Sequence, residues 1–459
     1  MAMKQKASEV QASFSIIRDG KKVTDAKGKY ELIEYLQGWE VFESIQSATI
    51  EASFIIKDMG GLINSLTGSE EFQLQLDTPD EKRSYIMRSY EIVDRVRSTQ
   101  GGELYRINAT SNEFIKNEVL NVFGHTEKVF KGDVEASQII KKLLKDKKYI
   151  GTTKKVFLEQ TMNKQTMIVP NWRPIDLIYW MCQRSIRKTN KGGTLQNGFI
   201  FWENALGFNF QSVDKMVEDV NEQKTDKTDK SKGKARLYEY VYTPKTSMDG
   251  GESDEFLIDT LVFPDEKSYL MGLRHGTWAG YSIGFDPVNI AKSKVGGSKD
   301  FSQSEFKYGV TPIWKKMSHI GGTNKVNPIN TMDTSIKNIV NFPKRVRFTM
   351  MPNQIFDPKY QQNPQANYSE LVELQAYQWL RLETIRNIKL SIGVPGRLDF
   401  YAGKGISVKI PSTLKVGVKP ELDKKYSGRY LIAGVAHASA GDGTSFRTEL
   451  MLLKDTIGA

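Results

Sequence analysis

The sequence predicts a β-rich α+β chain: two antiparallel β-barrel domains with helix-containing domains inserted. Three observations carry this. Apolar and polar residues alternate with period two near both ends of the 459-residue chain, the spacing of strands with one buried face. Between residues 132 and 186 the apolar spacing becomes helical. Glycine (37) far outnumbers proline (15), which suits turn-rich β structure. The length suits two to four domains. With 39% hydrophobic and 10% aromatic residues, sizeable cores can form.

The first barrel is assigned to residues 1–115. Ala48, Ile50, Ala52, Phe54 and Ile56 alternate with polar positions, and Phe72, Leu74 and Leu76 repeat the pattern. Thr78-Pro79-Asp80 supplies a turn. A long strand is expected from Ile86 to Val96, turned at Gln100-Gly101-Gly102 and returned by Leu104–Ala109. Such long paired strands suggest a sheet curled into a barrel.

Residues 116–235 read as an α/β insertion. Ala136, Ile139, Ile140, Leu143 and Leu144 follow helical spacing, with Asp133 as the expected N-cap. A second helix opens at Pro174, with Ile175, Ile178, Tyr179, Cys182 and Ile186 as its apolar stripe. An aromatic hairpin, 198–210, follows. Residues 219–234 (DVNEQKTDKTDKSKGK) read as a mobile charged loop. The second barrel is assigned to 236–262 plus 376–459, with strands at Leu237–Tyr242, Phe256–Val262, Ile388–Ile392, Ile406–Ile410, Tyr430–His437 and Phe446–Leu453. Ala440-Gly441-Asp442-Gly443 is its expected last turn. Region 263–375 has no assigned fold. Within and beside it, 291–326 reads as loop, and a helix is expected from Tyr368 to about Arg386, capped by Asn367 or Ser369.

Chemistry is sparse. Cys182 is the only cysteine, which excludes internal disulfides and cysteine zinc sites; it is read as a small apolar helix residue. His125, His275, His319 and His437 stand at no metal-ligand spacing, and no metalloprotease, nucleophile-elbow or phosphate-loop motif occurs. His437 is read as a hydrogen-bonded structural histidine. Glu70-Glu71 and Asp254-Glu255 are adjacent, so strand geometry points the members of each pair apart; they are read as solvated. No catalytic, cofactor-binding or metal residues are assigned, and no cofactor is expected. The net charge is +11. Lys141, Lys142, Lys145, Lys147 and Lys148 fall mainly on an outer helix face without interleaved aromatics, which favours a solvated face over a phosphate-binding one. No apolar run suits a membrane span, and the N-terminus, MAMKQKASEVQ, carries no signal-peptide pattern.

Two blocks carry a resemblance. The first is IKLSIGVPGRLDFYAGKGISVKIPS (388–412) with DKKYSGRYLIAGVAHASAGDGTSFRTELMLLKD (423–455). It resembles the second tube-like barrel of baseplate hub proteins of contractile-tailed, T-even-like bacteriophages, and the matching domain of type VI secretion spike proteins. The second is RPIDLIYWMCQRS (173–185) followed by GFIFWENALGFNFQS (198–212), similar to the helix and aromatic hairpin that hubs insert after their first barrel. No lysozyme domain or repetitive β-helix spike accompanies them.

The resemblance implies two tail-tube-like barrels per chain and a homotrimer presenting six barrels around one axis. Such a ring joins a sixfold tail tube protein to a threefold central spike protein, beside other baseplate proteins, and phage DNA passes through its lumen. The implied location is the virion tail baseplate, after synthesis in the host bacterial cytoplasm. The implied role is structural and non-enzymatic, and the lumen is expected to avoid strong positive fields. The alternatives are the equivalent hub of a contractile bacteriocin, secretion system or non-contractile tail, a tail-associated cell-wall hydrolase, and a nucleic-acid-binding protein. Interface residues are not named; the loops Lys191–Asn197 and Asp219–Lys234 are candidates for partner contacts.

Overall fold

The computed structural model describes residues 9–24, 28, 32–99, 101–124, 131–162, 164–166, 168–188, 195–225, 229–230, 232–243, 254–264, 268–285, 307–322, 325–340, 342, 345–350, 364–412, 421–440 and 445–458. It is β-rich with packed helices, as the alternation predicts.

The first module comprises β1 (Gln11–Arg18), β2 (Lys21–Lys22), β3 (Leu36–Ser44), β4 (Glu51–Asp58), β5 (Glu71–Asp77), β6 (Lys82–Arg97) and β7 (Glu103–Ser111). Its sheet runs β2-β1-β5-β6-β7-β4-β3. Alternate side chains fill the interior: Phe14 and Ile16, Ala52, Phe54 and Ile56, Phe72, Leu74 and Leu76, Tyr105, Ile107 and Ala109. The Phe14 ring lies 5.1 Å from that of Phe54, although three strands separate β1 from β4 in the sheet. Only a sheet curled on itself brings them together. Leu32, on the approach to β3, donates its N–H to Phe14 O at 2.8 Å and draws the ends of the curl together.

The insertion follows: α1 (Asn112–Val119), β8 (Val122–Gly124), β9 (Lys131–Glu135), α2 (Ala136–Lys145), β10 (Val156–Leu158), β11 (Lys164–Thr166), β12 (Val169–Trp172), α3 (Pro174–Cys182), β13 (Phe199–Asn204), β14 (Gly207–Ser212) and α4 (Val213–Glu222). Ile139, Ile140, Leu143 and Leu144 of α2 pack with Ile175, Ile178 and Cys182 of α3 against Phe199, Phe201, Phe208 and Phe210 of the hairpin. Gly207, at φ +137°, closes that hairpin; a Cβ there would lie 2.2 Å from Lys155 O, so only glycine fits.

The chain then forms β15 (Glu239–Val241), β16 (Thr260–Val262), α5 (Tyr269–His275), β17 (Ala279–Phe285), β18 (Lys307–Gly309), α6 (Val310–Trp314), α7 (Thr334–Val340), β19 (Arg345–Met350) and α8 (Pro364–Thr384). Strands β18, β17 and β19 make a separate three-stranded sheet. The last strands are β20 (Ile388–Pro395), β21 (Gly405–Lys409), β22 (Gly428–Ala440) and β23 (Arg447–Lys454).

The second module uses β15, β16 and β20–β23, ordered β15-β21-β22-β23-β20-β16. The order of the first, without β2, is β1-β5-β6-β7-β4-β3. Taken strand for strand, the two have the same chain order and the same sheet order. They also close alike: Ile258, on the approach to β16, donates its N–H to Val241 O of β15 at 3.0 Å. One difference is that β1 runs antiparallel to β5, whereas β15 runs parallel to β21. The second core, with Tyr240, Leu390, Ile406, Val408, Tyr430, Ile432 and Leu450, is its own.

Several local expectations are corrected. Asp133 lies in β9; α2 starts at Ala136 with Glu135 in the cap position, because the segment first pairs with β11. Residues 219–222 of the charged loop belong to α4, where Val220 is fully buried in a core. The amphipathic spacing of Val213, Met216, Val217 and Val220 runs across the boundary placed at Asp219. The strand expected at Phe256–Val262 is only Thr260–Val262, after a 3-10 turn at Asp254–Phe256. The stretch 291–326 holds β18 and α6. Helix α8 begins at Pro364, where a proline costs no intrahelical bond, so Asn367 and Ser369 lie inside it. Glu70 is 2% exposed, not solvated: its carboxylate accepts the N–H groups of Thr67 (2.6 Å), Gly68 (3.0 Å) and Ser69 (3.1 Å) and pairs with Arg18. These bonds outweigh burial and hold its pKa down at about 2. Gln100, His125, Lys191–Thr194 and the turn at 441–443 lie outside the described residues.

Candidate assembly site at the junction of the modules

β22 divides its partners. Along one edge its first residues, Gly428–Leu431, pair with β21, and Gly434–Ala440 then pair antiparallel with β3. One sheet thus runs without a break from the second module into the first. One row of outward residues crosses six strands: Arg447, Ala438, Glu40, Ser53, Asn108 and Glu91. Exposed charges of both signs stand on this face, among them Lys57, Arg106, Lys389 and Arg447 and Glu40, Glu51, Glu91 and Glu449.

Behind the ladder the aromatic hairpin pins three parts together. Ala205 N and Ala402 N each donate to Glu43 of β3 at 2.7 Å. Trp202 Nε1 and Asn204 Nδ2 donate to Ala402 O at 3.1 and 2.9 Å. Glu203, fully buried, accepts Ile50 N at 3.1 Å and pairs with Lys154 at 2.6 Å; Lys154 also reaches Glu113 at 2.7 Å. The WEN segment that stood out in the sequence is therefore the clasp between both barrels and the insertion. Arg83 lies beside it, paired with Glu81 at 2.8 Å and 4.9 Å above the Tyr401 ring.

Burial pushes the Glu43 pKa up to about 7, against Arg83 and the two backbone donors that pull it down. Between pH 4.5 and 7 the folded chain therefore holds a proton that an unfolded glutamic acid releases, so stability falls as pH rises through that window. The loss is about 3 kcal/mol by pH 7. Urea midpoints measured across this range should decline, and Glu43→Gln should flatten the decline. An unchanged slope in the variant would remove Glu43 as its source.

A second buried cluster joins α8, α4 and the C-terminal segment. Arg381, fully buried, has Nη1 3.2 Å from Asp455 and Nε 3.2 Å from Asp214, the latter an ionic contact without hydrogen-bond alignment. Its Nη2 donates to Ser318 O at 2.8 Å, and Tyr377 donates to Asp214 at 2.7 Å. His319 Nδ1 lies 2.9 Å from Asp455.

The sequence-flagged residues have structural surroundings. Cys182 is buried, and burial raises its thiol pKa well above the usual range. His437 Nδ1 sits 2.9 Å from Thr448 Oγ1; burial, aided by Arg83, pushes its pKa down to about 3, so the ring is neutral. His275 ends α5. Of the Asp254-Glu255 pair, Glu255 is half-buried and pairs with Arg397. Lys141, Lys145, Lys147 and Lys148 are exposed and Lys142 half-exposed. No group of three His, Cys, Asp or Glu able to hold a metal occurs among the described residues. Among the same residues no helix is long and apolar enough to cross a membrane. Glu43, Arg83, Glu203 and Arg381 escaped the sequence reading because nothing local marks the contacts they make with distant segments: Ala205 and Ala402 for Glu43, the Tyr401 ring for Arg83, Ile50 for Glu203, and Asp214 and Asp455 for Arg381.

Two edges remain open. β6 pairs with β5 only as far as Arg88; beyond it, no described strand lines that edge through Arg97. Among the described strands β16 pairs only with β20. Large apolar side chains stand exposed at both, Tyr90 (53%) and Val96 (62%) on β6 and Val262 (56%) and Phe263 (48%) at β16.

No family model matches the sequence, and no curated protein matches it. Solved structures of similar arrangement include a tail protein from Neisseria meningitidis MC58 (10% identity, 97% of each chain covered, TM-score 0.47). A 43 kDa tail protein of prophage MuSo2 from Shewanella oneidensis also matches (11% identity, 97% of this chain and 99% of that one, TM-score 0.43). A third is an Escherichia coli type VI secretion component described as similar to the T4 bacteriophage tail proteins gp27 and gp5 (10% identity, 91% and 73% covered, TM-score 0.38). The structural neighbours of this chain are thus phage tail proteins and type VI secretion components.

Proposed function

We propose that this chain is a structural hub subunit of a phage-type tail, three copies closing into a ring of six barrels between a sixfold tube and a threefold spike. One observation carries the reading: the modules share chain order and sheet order, and the junction inside the chain shows how two such modules join. In the pairing of equivalent strands, β22 corresponds to β6 and β3 to β16. Within the chain, the distal half of β22 accepts β3. No described strand lies along the distal half of β6 or along the outer edge of β16. Strand addition of β16 from one copy onto β6 of the next would repeat the internal junction between chains. This is a head-to-tail contact, which must close into a ring or run on as a filament. The sequence resemblance to phage hubs supports closure at three chains.

The face of mixed charge described above supports the same role. In such a ring it would line the lumen, and its mixture of acidic and basic side chains argues against a strong positive field to hold phosphates. The reading is structural, with no reacting centre. Native mass spectrometry of the purified chain, alone and mixed with its tube and spike proteins, tests it. A trimer is expected; a chain that stays monomeric with both partners present overturns the proposal.

A further inference from the structure

Away from the sheet, α4, the turn at 232–235 and the loop before β21 enclose a cavity of about 440 Å³. Five lysines and two carboxylates line it, so it is electropositive. One of the lysines is unlike the others. Lys404 is only 6% exposed, and its ammonium makes no hydrogen bond or ion pair with any described residue. Lys215, on the same wall, is already held by Asp219. Gln211 faces the cavity as well; its Oε1 is buried without a partner, and rotating the amide would turn a donor inward. Phe157 supplies an apolar wall.

Burying an ammonium without a partner is costly, and a buried polar group without one calls for an explanation. Burial also holds the Lys404 pKa below the usual lysine value, Lys215 adding to the depression and Asp219 opposing it. An anion seated on the ammonium would reverse that shift and give the lysine a partner. We infer that this cavity is an oxyanion-binding site in which Lys404 and Gln211 receive a phosphate or carboxylate group, with the exposed lysines Lys232 and Lys234 at its mouth. Lysines suit such a site as compact point charges with rotatable donors. The shared chemistry admits two sources: a free or esterified phosphate, or a carboxylate on an acidic segment of a neighbouring protein.

Thermal unfolding of the full chain, titrated with sodium phosphate at constant ionic strength set by chloride, tests the inference. A saturable rise in Tm is expected. Lys404→Met keeps the length of the side chain and removes the buried charge; it should fold at least as well in phosphate-free buffer and bind phosphate at least tenfold more weakly. Gln211→Leu, whose orphaned amide is likewise removed, gives an independent variant with the same expected loss. A parallel titration with an acetylated, acidic peptide separates the sources: whichever ligand binds more tightly, and loses that binding in Lys404→Met, names the occupant class. The inference is overturned if neither ligand raises Tm beyond matched chloride, or if both variants bind as the wild type does.

Discussion

Val262→Lys is expected to leave the chain folded and to abolish ring formation. Val262 is 56% exposed and sits on a three-residue edge strand, so the substitution should change monomer stability by no more than about 0.5 kcal/mol. In the proposed ring the same position would be covered by the next chain, where a lysine must be desolvated. Edge lysines are a standard obstacle to strand addition. The penalty recurs at each interface, so a shift of at least tenfold in trimer dissociation is expected by analytical ultracentrifugation. Val96→Lys, on the opposing edge, should act the same way. Cross-linking adds a test of geometry. The native Cys182 is buried, so cysteine pairs placed at Tyr90 or Val96 and at Thr260 or Val262 report only on the new contact. Oxidation should yield covalent dimers and trimers and stop there. Unimpaired trimers in both lysine variants would sink the strand-addition geometry, and ladders continuing past three would sink the closed ring.

Arg381→Ala is expected to cost about 3–5 kcal/mol, the range for breaking a buried ion pair from one side. The side chain lies between Asp214 and Asp455, both fully buried, and its loss strands two carboxylates in the interior. Chemical unfolding should show the lower midpoint. The same cluster sets an acid response. Burial alone would raise the Asp455 pKa, but the His319 hydrogen bond and the Arg381 charge outweigh it and hold the pKa below the usual aspartate value. The stabilisation from Asp455 is therefore present at neutral pH and lost as pH falls through that lowered value. Arg381→Ala should lessen this acid loss. A variant as stable as the wild type would show that the cluster contributes no net stability.

Where local pattern sufficed, the reading was accurate. The alternation at Phe72, Leu74 and Leu76 is β5, with all three side chains in the first core. Pro174 does open α3, and the aromatic hairpin pairs Phe201 with Phe210. Misreadings arose where a charged stretch concealed a periodic apolar residue, as Val220 did at the end of α4, or where an acidic pair was judged by its own neighbours alone. Glu70 sits in a turn whose backbone donors converge on it, an arrangement that composition does not announce.

The period of the apolar residues by itself determined the β-rich class, the helical insertion and the faces turned inward, because burial of one face per strand or helix is a local constraint on spacing. The pairing of β22 with β3, the clasp of Glu43 and Ile50 by the hairpin, and the ion pairs of Arg381 with Asp214 and Asp455 were decided by tertiary structure alone. Each joins residues more than 70 positions apart, so the partner of a charge, or of a strand edge, exists only once the chain has closed on itself.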